Sequence, residues 1–167
     1  QDRQVIAALE RIRLVVAGVE HLAPCGHLRD SRGWQDDLTK AACQLDDLEV
    51  GHRPEARADR RALLDRIERA ARAIDHRVAG QAKALSECVA AVDKVAAHVG
   101  TAPTAGDADS PGAAACRGML AQAAAKLDVI ECASEFQRTQ RKAQLLRIEE
   151  LEAELQRRSV DGRLYCL

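Results

Sequence analysis

The feature that most constrains this chain is an apolar repeat in alternating steps of three and four residues, sustained through 55–99 and 113–157. This spacing places side chains on one face of an α-helix. In 55–99 the repeat consists of Leu64, Ile67, Ala71, Ile74, Val78, Gln81, Leu85, Cys88, Val92, Val95 and Val99. In 113–157 it consists of Leu120, Ala123, Leu127, Ile130, Ser134, Gln137, Arg141, Gln144, Ile148, Leu151 and Leu155. The pattern predicts two long helices, the second with looser packing in its polar middle.

The first fifty residues carry the same spacing in two segments that are out of phase by one residue. The first segment contains Val5, Leu9, Ile12, Val16, Val19 and Ala23, and the second contains Trp34, Leu38, Ala41, Leu45 and Leu48. Pro24, Gly26 and Gly33 lie between them and interrupt a helix. We therefore predict one arm over 1–50 with a break at 24–33. Trp34 fills the interior of the bundle in this interpretation, and the alternative is a small projection that faces a ligand.

Turn-forming residues separate the arms. Pro54 is placed to open the second helix after a tight turn, and the glycines and prolines of 100–112 favour an exposed loop. The exposed loop residues are predicted to include Thr101, Thr104, Asp107, Asp109 and Ser110. The predicted fold is all-α, an elongated antiparallel three-helix bundle with a broken first helix. It forms a single domain over 1–167, with a tail at 158–167.

Charge and motif content exclude several classes of function. The 25 Lys and Arg residues and 26 Asp and Glu residues give a net charge of −1 and are interspersed along the helices, which argues against nucleic-acid binding. No phosphate-binding glycine loop, nucleophile motif or dinucleotide signature is present. His21, Cys25 and His27 could offer metal ligands, but no fourth ligand is signalled nearby. The sequence therefore predicts a non-enzymatic protein without a cofactor or a metal.

The six cysteines are scattered over all three arms, and none forms a Cys-x-x-Cys motif. Such a set favours disulfides between helices. Counting outward from the two predicted turns places Cys25 level with Cys132, which is the preferred pair. The remaining pairs would be Cys88 with Cys116 and Cys43 with Cys166. The alternative is a set of ordinary thiols in a reducing compartment.

An alanine-rich chain with two very long helices, a broken shorter helix, scattered cysteines and no catalytic motif resembles the elongated helical-bundle surface proteins of trypanosomes. This family includes the glutamic acid/alanine-rich protein and is related to variant surface glycoproteins and the haptoglobin-haemoglobin receptor. The resemblance implies an extracellular, lipid-anchored protein on the cell surface, with a GPI-type anchor outside this segment. It implies neighbouring coat molecules and host antibodies as partners.

The sequence thus leads to one predicted function and two alternatives. The predicted function is that of a coat protein that forms a protective, antigenic layer, with the loop at 100–112 facing outward. The first alternative is a surface receptor that binds a macromolecular ligand, and the second is an intracellular coiled-coil scaffold. The receptor would bind its ligand through a patch around Cys25 to Trp34 or through the apolar seam of the second arm. An exposed apolar patch in the head half of the bundle, which holds the start of the first arm, would favour the receptor over the coat.

Overall fold

The computed structural model describes residues 2–51, 53–101 and 111–164, and this part of the protein is helical without a strand. Helix α1 spans Asp2–Cys25, a 3₁₀ turn spans Leu28–Asp30, and α2 spans Ser31–Asp46. Helix α3 spans Pro54–Thr101, α4 spans Pro111–Val129 and α5 spans Glu135–Leu164. The all-α prediction is confirmed. Across the described helices, none is long and apolar enough to cross a membrane.

The chain divides into two compact units, Gln1–Gly80 and Gln81–Leu167, and the boundary falls within α3. The predicted second arm, 55–99, corresponds to α3. The predicted third arm, 113–157, is not one helix, because it is interrupted between α4 and α5. The single bundle of three arms is therefore not confirmed.

The first unit is built from α1, α2 and the beginning of α3. Helices α1 and α2 pack against each other, so the break at 24–33 joins two neighbouring helices. The shared core contains Val5, Leu9, Ile12, Val16, Val19, Ala23, Trp34, Leu38, Ala41, Leu45, Leu63, Ile67, Ala70 and Ile74. Every predicted stripe residue of α1 is buried, and so are the first four of the second stripe, whereas Leu48 follows the end of α2 and is partly buried. On α3, Leu63 and Ala70 are buried while the predicted Leu64 and Ala71 are only partly buried.

Buried side chains and hydrogen bonds from α3 stabilise the break between α1 and α2. Leu28 and Trp34 are both buried, which confirms that Trp34 fills the interior and does not project. Arg77 of α3 donates from Nη1 to the carbonyl oxygens of Ala23 at 2.7 Å and Gly26 at 2.9 Å. These carbonyls lie at the end of α1, where helical partners are missing.

The second unit is built from the end of α3 with α4 and α5. Its core contains Leu85, Cys88, Val92, Val95, Val99, Cys116, Leu120, Ala123, Leu127, Ile130, Ile148 and Leu155. At the start of α5 the predicted stripe is polar, and its residues Gln137, Arg141 and Gln144 are half-buried. Phe136 is 75% exposed. The polar middle predicted for the third arm is thus the first half of α5.

A capping arrangement starts α5 and explains the interruption of the third arm. The backbone N–H of Gln137 donates to Ser134 Oγ at 3.2 Å, and the N–H of Ala133 donates to Gln137 Oε1 at 2.8 Å. This resembles the capping box Ser-x-x-Gln, in which two side chains satisfy free donors at a helix start. Arg141 Nη1 also donates to the carbonyl oxygen of Ile130 at 2.9 Å. The sequence therefore ends one helix and begins another here without glycine or proline.

Two predicted boundaries also change. The predicted tail at 158–167 is helical as far as Leu164, because α5 continues through it. Both ends of the predicted loop at 100–112 are helical, since α3 ends at Thr101 and α4 begins at Pro111. The remainder of that loop lies outside the described residues.

The substitution Gly26→Ala should destabilise the first unit. A Cβ at Gly26 would lie 2.6 Å from Trp34 Cζ2 and 2.8 Å from the carbonyl oxygen of Leu22. Overpacking of this kind costs about 1–3 kcal/mol. Gly33→Ala is the matched control, because a Cβ there meets nothing within 4 Å and alanine is the better helix former. Urea unfolding should show a lower midpoint for Gly26→Ala only. Equal midpoints for the two variants would contradict the close packing of Trp34 on Gly26.

An ion pair joins α1 to α3 within the first unit. Arg66 donates from Nε to Glu20 Oε1 at 3.1 Å and from Nη2 to Oε2 at 2.6 Å. The hydrogen bonds from Arg66 hold the pKa of the Glu20 carboxyl below its ordinary value of 4.5, although burial acts in the opposite direction. A carboxyl with a lowered pKa stabilises the folded protein above its unfolded pKa, and this contribution is lost as the pH falls through the folded value.

Glu20→Gln should therefore lower the melting temperature at pH 7, and the difference from the parent protein should shrink below about pH 4.5. Asp36→Asn on the exposed face of α2 is the control for loss of a surface carboxylate. Melting curves between pH 7 and pH 3 measure both. A Glu20→Gln difference that stays constant over this range would show that the ion pair does not contribute to acid sensitivity.

Candidate functional site

Of the residues considered as metal ligands, His21 and Cys25 lie near the end of α1 and His27 follows it. Cys25 Sγ donates to the carbonyl oxygen of His21 at 3.2 Å, within the last turn of α1. Over the described ranges, no group of three His, Cys, Asp or Glu side chains could hold a metal ion. Of the predicted loop residues, Thr101 is the last residue of α3. Thr104, Asp107, Asp109 and Ser110 lie outside the described residues.

The cysteines occupy three kinds of environment. Cys25 and Cys43 are exposed, Cys132 is half-buried, and Cys88 and Cys116 are buried; all five are free thiols. Burial raises the pKa of the Cys88 thiol, which makes it a poorer nucleophile.

The predicted disulfide partners are distributed over the two units. Cys25 belongs to the first unit and Cys132 to the second. Cys88 and Cys116 share the core of the second unit, and Cys166 lies outside the described residues. The three pairings stay predictions for the oxidised protein.

The most distinctive surface of the first unit is an apolar face on α1. Leu14 is 72% exposed, Val15 is 44% exposed and Leu22 is 46% exposed. Leu14 lies two residues from each of the buried Ile12 and Val16, and two residues turn a helix by about 200°. Leu14 therefore points away from the core, and Val15 and Leu22 lie on the flank of α1 between Leu14 and the core. We call Leu14, Val15, Gly18 and Leu22 the α1 face.

A groove between α1 and α2 continues the α1 face. It is lined by Ala8, Arg11, Ile12, Val15, Gln44, Asp47 and Leu48, and it has a volume of about 520 Å³. Ile12 is buried, Leu48 is partly buried and Val15 is shared with the α1 face. Arg11 on α1 and Asp47, which follows the end of α2, place opposite charges on the two sides of the groove. The groove is thus a partly apolar channel with a polar rim.

The apolar residues of this surface are present in the sequence, but they lie outside the apolar stripe that predicts the core. Leu14, Val15 and Leu22 all fall between the core positions of α1. Isolated exposed apolar residues are common on protein surfaces and carry no meaning singly. Their grouping beside a groove becomes visible only when α2 is placed next to α1.

Comparison with known proteins identifies no relative: no family model, no curated protein and no solved structure matches this chain. The resemblance to trypanosome coat proteins therefore stays a prediction.

Thiol alkylation should separate the cysteines by exposure. In the native reduced protein, iodoacetamide should modify Cys25 and Cys43 quickly, while Cys88 and Cys116 should react only on unfolding. Peptide mass spectrometry over a time course measures each site. A second sample, isolated without reductant, is alkylated and mapped in the same way. Resistance of Cys25 and Cys132 there, abolished by reduction, would support their predicted disulfide, whereas free reaction of both would reject it.

Proposed function

We propose that this protein is a non-enzymatic binding protein whose first unit engages an amphipathic helix of a macromolecular partner. The observation that carries the proposal is the α1 face, continuous with the α1–α2 groove. An exposed apolar patch was the feature expected to favour a receptor over a coat. We therefore favour the receptor function over the coat function.

The shape and chemistry of the surface specify the kind of partner. Two neighbouring helices form a groove that accepts the ridge of a third helix, and helix-in-groove recognition uses apolar anchors at intervals of three and four residues. Leu14, Val15 and Leu22 supply the apolar contact. Arg11 and Asp47 favour a partner helix that carries acidic residues on one flank and basic residues on the other.

The compartment in this proposal comes from the resemblance. A binding protein of this kind would act at the cell surface, held by a lipid anchor outside this segment. The coat function, with neighbouring coat molecules and host antibodies as partners, uses the same location. Surface biotinylation of intact cells tests that location independently of any binding experiment.

Binding is tested with a synthetic peptide of leucine, lysine and glutamate whose leucines follow the helical three and four spacing. A peptide of the same composition with scattered leucines is the ligand control. Fluorescence anisotropy should show binding of the striped peptide only. Val15→Glu and Leu22→Glu should each weaken that binding about tenfold or more, which corresponds to about 1.4 kcal/mol.

Val129→Glu is the matched protein control, because Val129 is also exposed but belongs to the second unit. It should leave peptide binding unchanged. Circular dichroism confirms that each variant keeps its helicity, as expected for substitutions at exposed positions. Equal binding of both peptides, or equal loss in all three variants, would rule out the α1 face as the site.

A further inference from the structure

The second unit carries a separate unpartnered stripe on the outer face of α5. Phe136 is 75% exposed and Leu146 is 51% exposed. The stripe follows alternating steps of three and four residues and contains Phe136, Thr139, Ala143, Leu146, Glu150 and Ala153, all of them exposed. We call these residues the α5 stripe.

The α5 stripe faces away from the core of its own unit. Ile148 and Leu155 of α5 are buried in that core. Leu146 and Glu150 each lie two residues from Ile148, and Ala153 lies two residues from Leu155. Two residues correspond to about 200° of helix rotation. The helix therefore has a second seam of coiled-coil spacing that the described part of its unit does not cover.

We propose that the α5 stripe pairs with the α5 stripe of a second copy of this chain, with the two helices antiparallel. In this arrangement Ala143 faces Leu146 of the other copy, and Phe136 faces Ala153. Small residues thus lie opposite the two large ones on both halves of the contact. A two-fold contact of this kind uses the same patch on both subunits and is closed.

The charges beside the stripe decide the direction of pairing. Lys142 and Glu149 are both exposed and flank the stripe on one side. Antiparallel pairing places Lys142 of each copy opposite Glu149 of the other, which forms two attractive pairs. Residues that flank a coiled-coil seam in this way set partner choice and orientation.

Parallel pairing is disfavoured by the same charges. It would place Lys142 opposite Arg147 of the other copy and Glu149 opposite Glu154, so both flanks would carry like charges. Arg147 already pairs with Asp93, and Glu154 already pairs with Arg157 and Arg158, within the unit. Antiparallel pairing leaves these ion pairs in place.

The contact is small, so the association should be modest. It extends over roughly 30 Å of helix at about 1.5 Å per residue. Only Phe136 and Leu146 supply large apolar side chains, and glutamate at position 150 keeps the stripe partly polar. Association should therefore depend strongly on protein concentration. It is independent of the α1 face, which belongs to the first unit.

Sedimentation equilibrium of the reduced protein over a range of concentrations tests the proposal. The average mass should rise from the chain mass of 18.1 kDa toward twice that value. Leu146→Glu should prevent the rise. Ile6→Glu, at an exposed isoleucine of the first unit that lies outside the α1 face, is the matched control and should associate like the parent protein. A parent protein that stays monomeric at every concentration overturns the proposal and leaves the stripe to a helix of another protein.

Charge reversal tests the orientation separately. Lys142→Glu should weaken association in the antiparallel arrangement, because it places like charges opposite each other at position 149. The double variant Lys142→Glu with Glu149→Lys should restore association. In the parallel arrangement Lys142→Glu should instead strengthen association, because the substitution would remove the repulsion between Lys142 and Arg147 of the other copy. Strengthened association in Lys142→Glu, or no rescue in the double variant, overturns the antiparallel contact.

Discussion

The apolar stripe of α3 is the constraint on which both units depend. Burial of apolar surface is the main stabilising term in folding, and this stripe extends along the whole helix. Helices α1 and α2 cover its first part, and α4 and α5 cover its last part. Between the two parts the stripe weakens, because Val78 and Gln81 are only half-buried and Gly80 is exposed. The boundary between the units falls at this weak point.

Arginine side chains fix where the helices end. Arg77 donates to the carbonyl oxygens at the end of α1, Arg141 to that of Ile130 after α4, and Arg158 to that of Val99 near the end of α3. Helix ends leave carbonyl groups without partners and carry partial negative charge. An arginine side chain at a helix end donates hydrogen bonds to these carbonyl groups, and its positive charge interacts favourably with their partial negative charge. Since Arg77 and Arg158 come from other helices than the ends they cap, these bonds also fix the register between helices.

The apolar periodicity predicted the helices and most of the core, but it did not predict how the chain reverses. All six predicted stripe residues of α1, from Val5 to Ala23, are buried. The reversal before α5 was missed because Ser134 and Gln137 fit the stripe spacing, although their side chains instead cap a new helix. The Ser-x-x-Gln pattern was the available signal. The arm breaks only between α4 and α5, so the count along α4 still places Cys132 near residue 80, and the N–H of Glu131 donates to Gln81 Oε1 at 3.2 Å. The pairing of Cys132 with Cys25 stays a prediction.

Gly18 gives a physical reason to regard the α1 face as a contact surface. Glycine inside a helix destabilises it by about 0.5–1 kcal/mol relative to alanine. Gly26 follows the end of α1, and the absence of a Cβ there allows the close approach of Trp34. At Gly18 a Cβ would meet nothing within 4 Å, so packing within its own unit does not account for the residue. A glycine at the centre of the α1 face would let the backbone of a partner helix approach closely between Leu14 and Leu22. The destabilisation of α1 by Gly18 would then be offset by this contact when the partner helix binds.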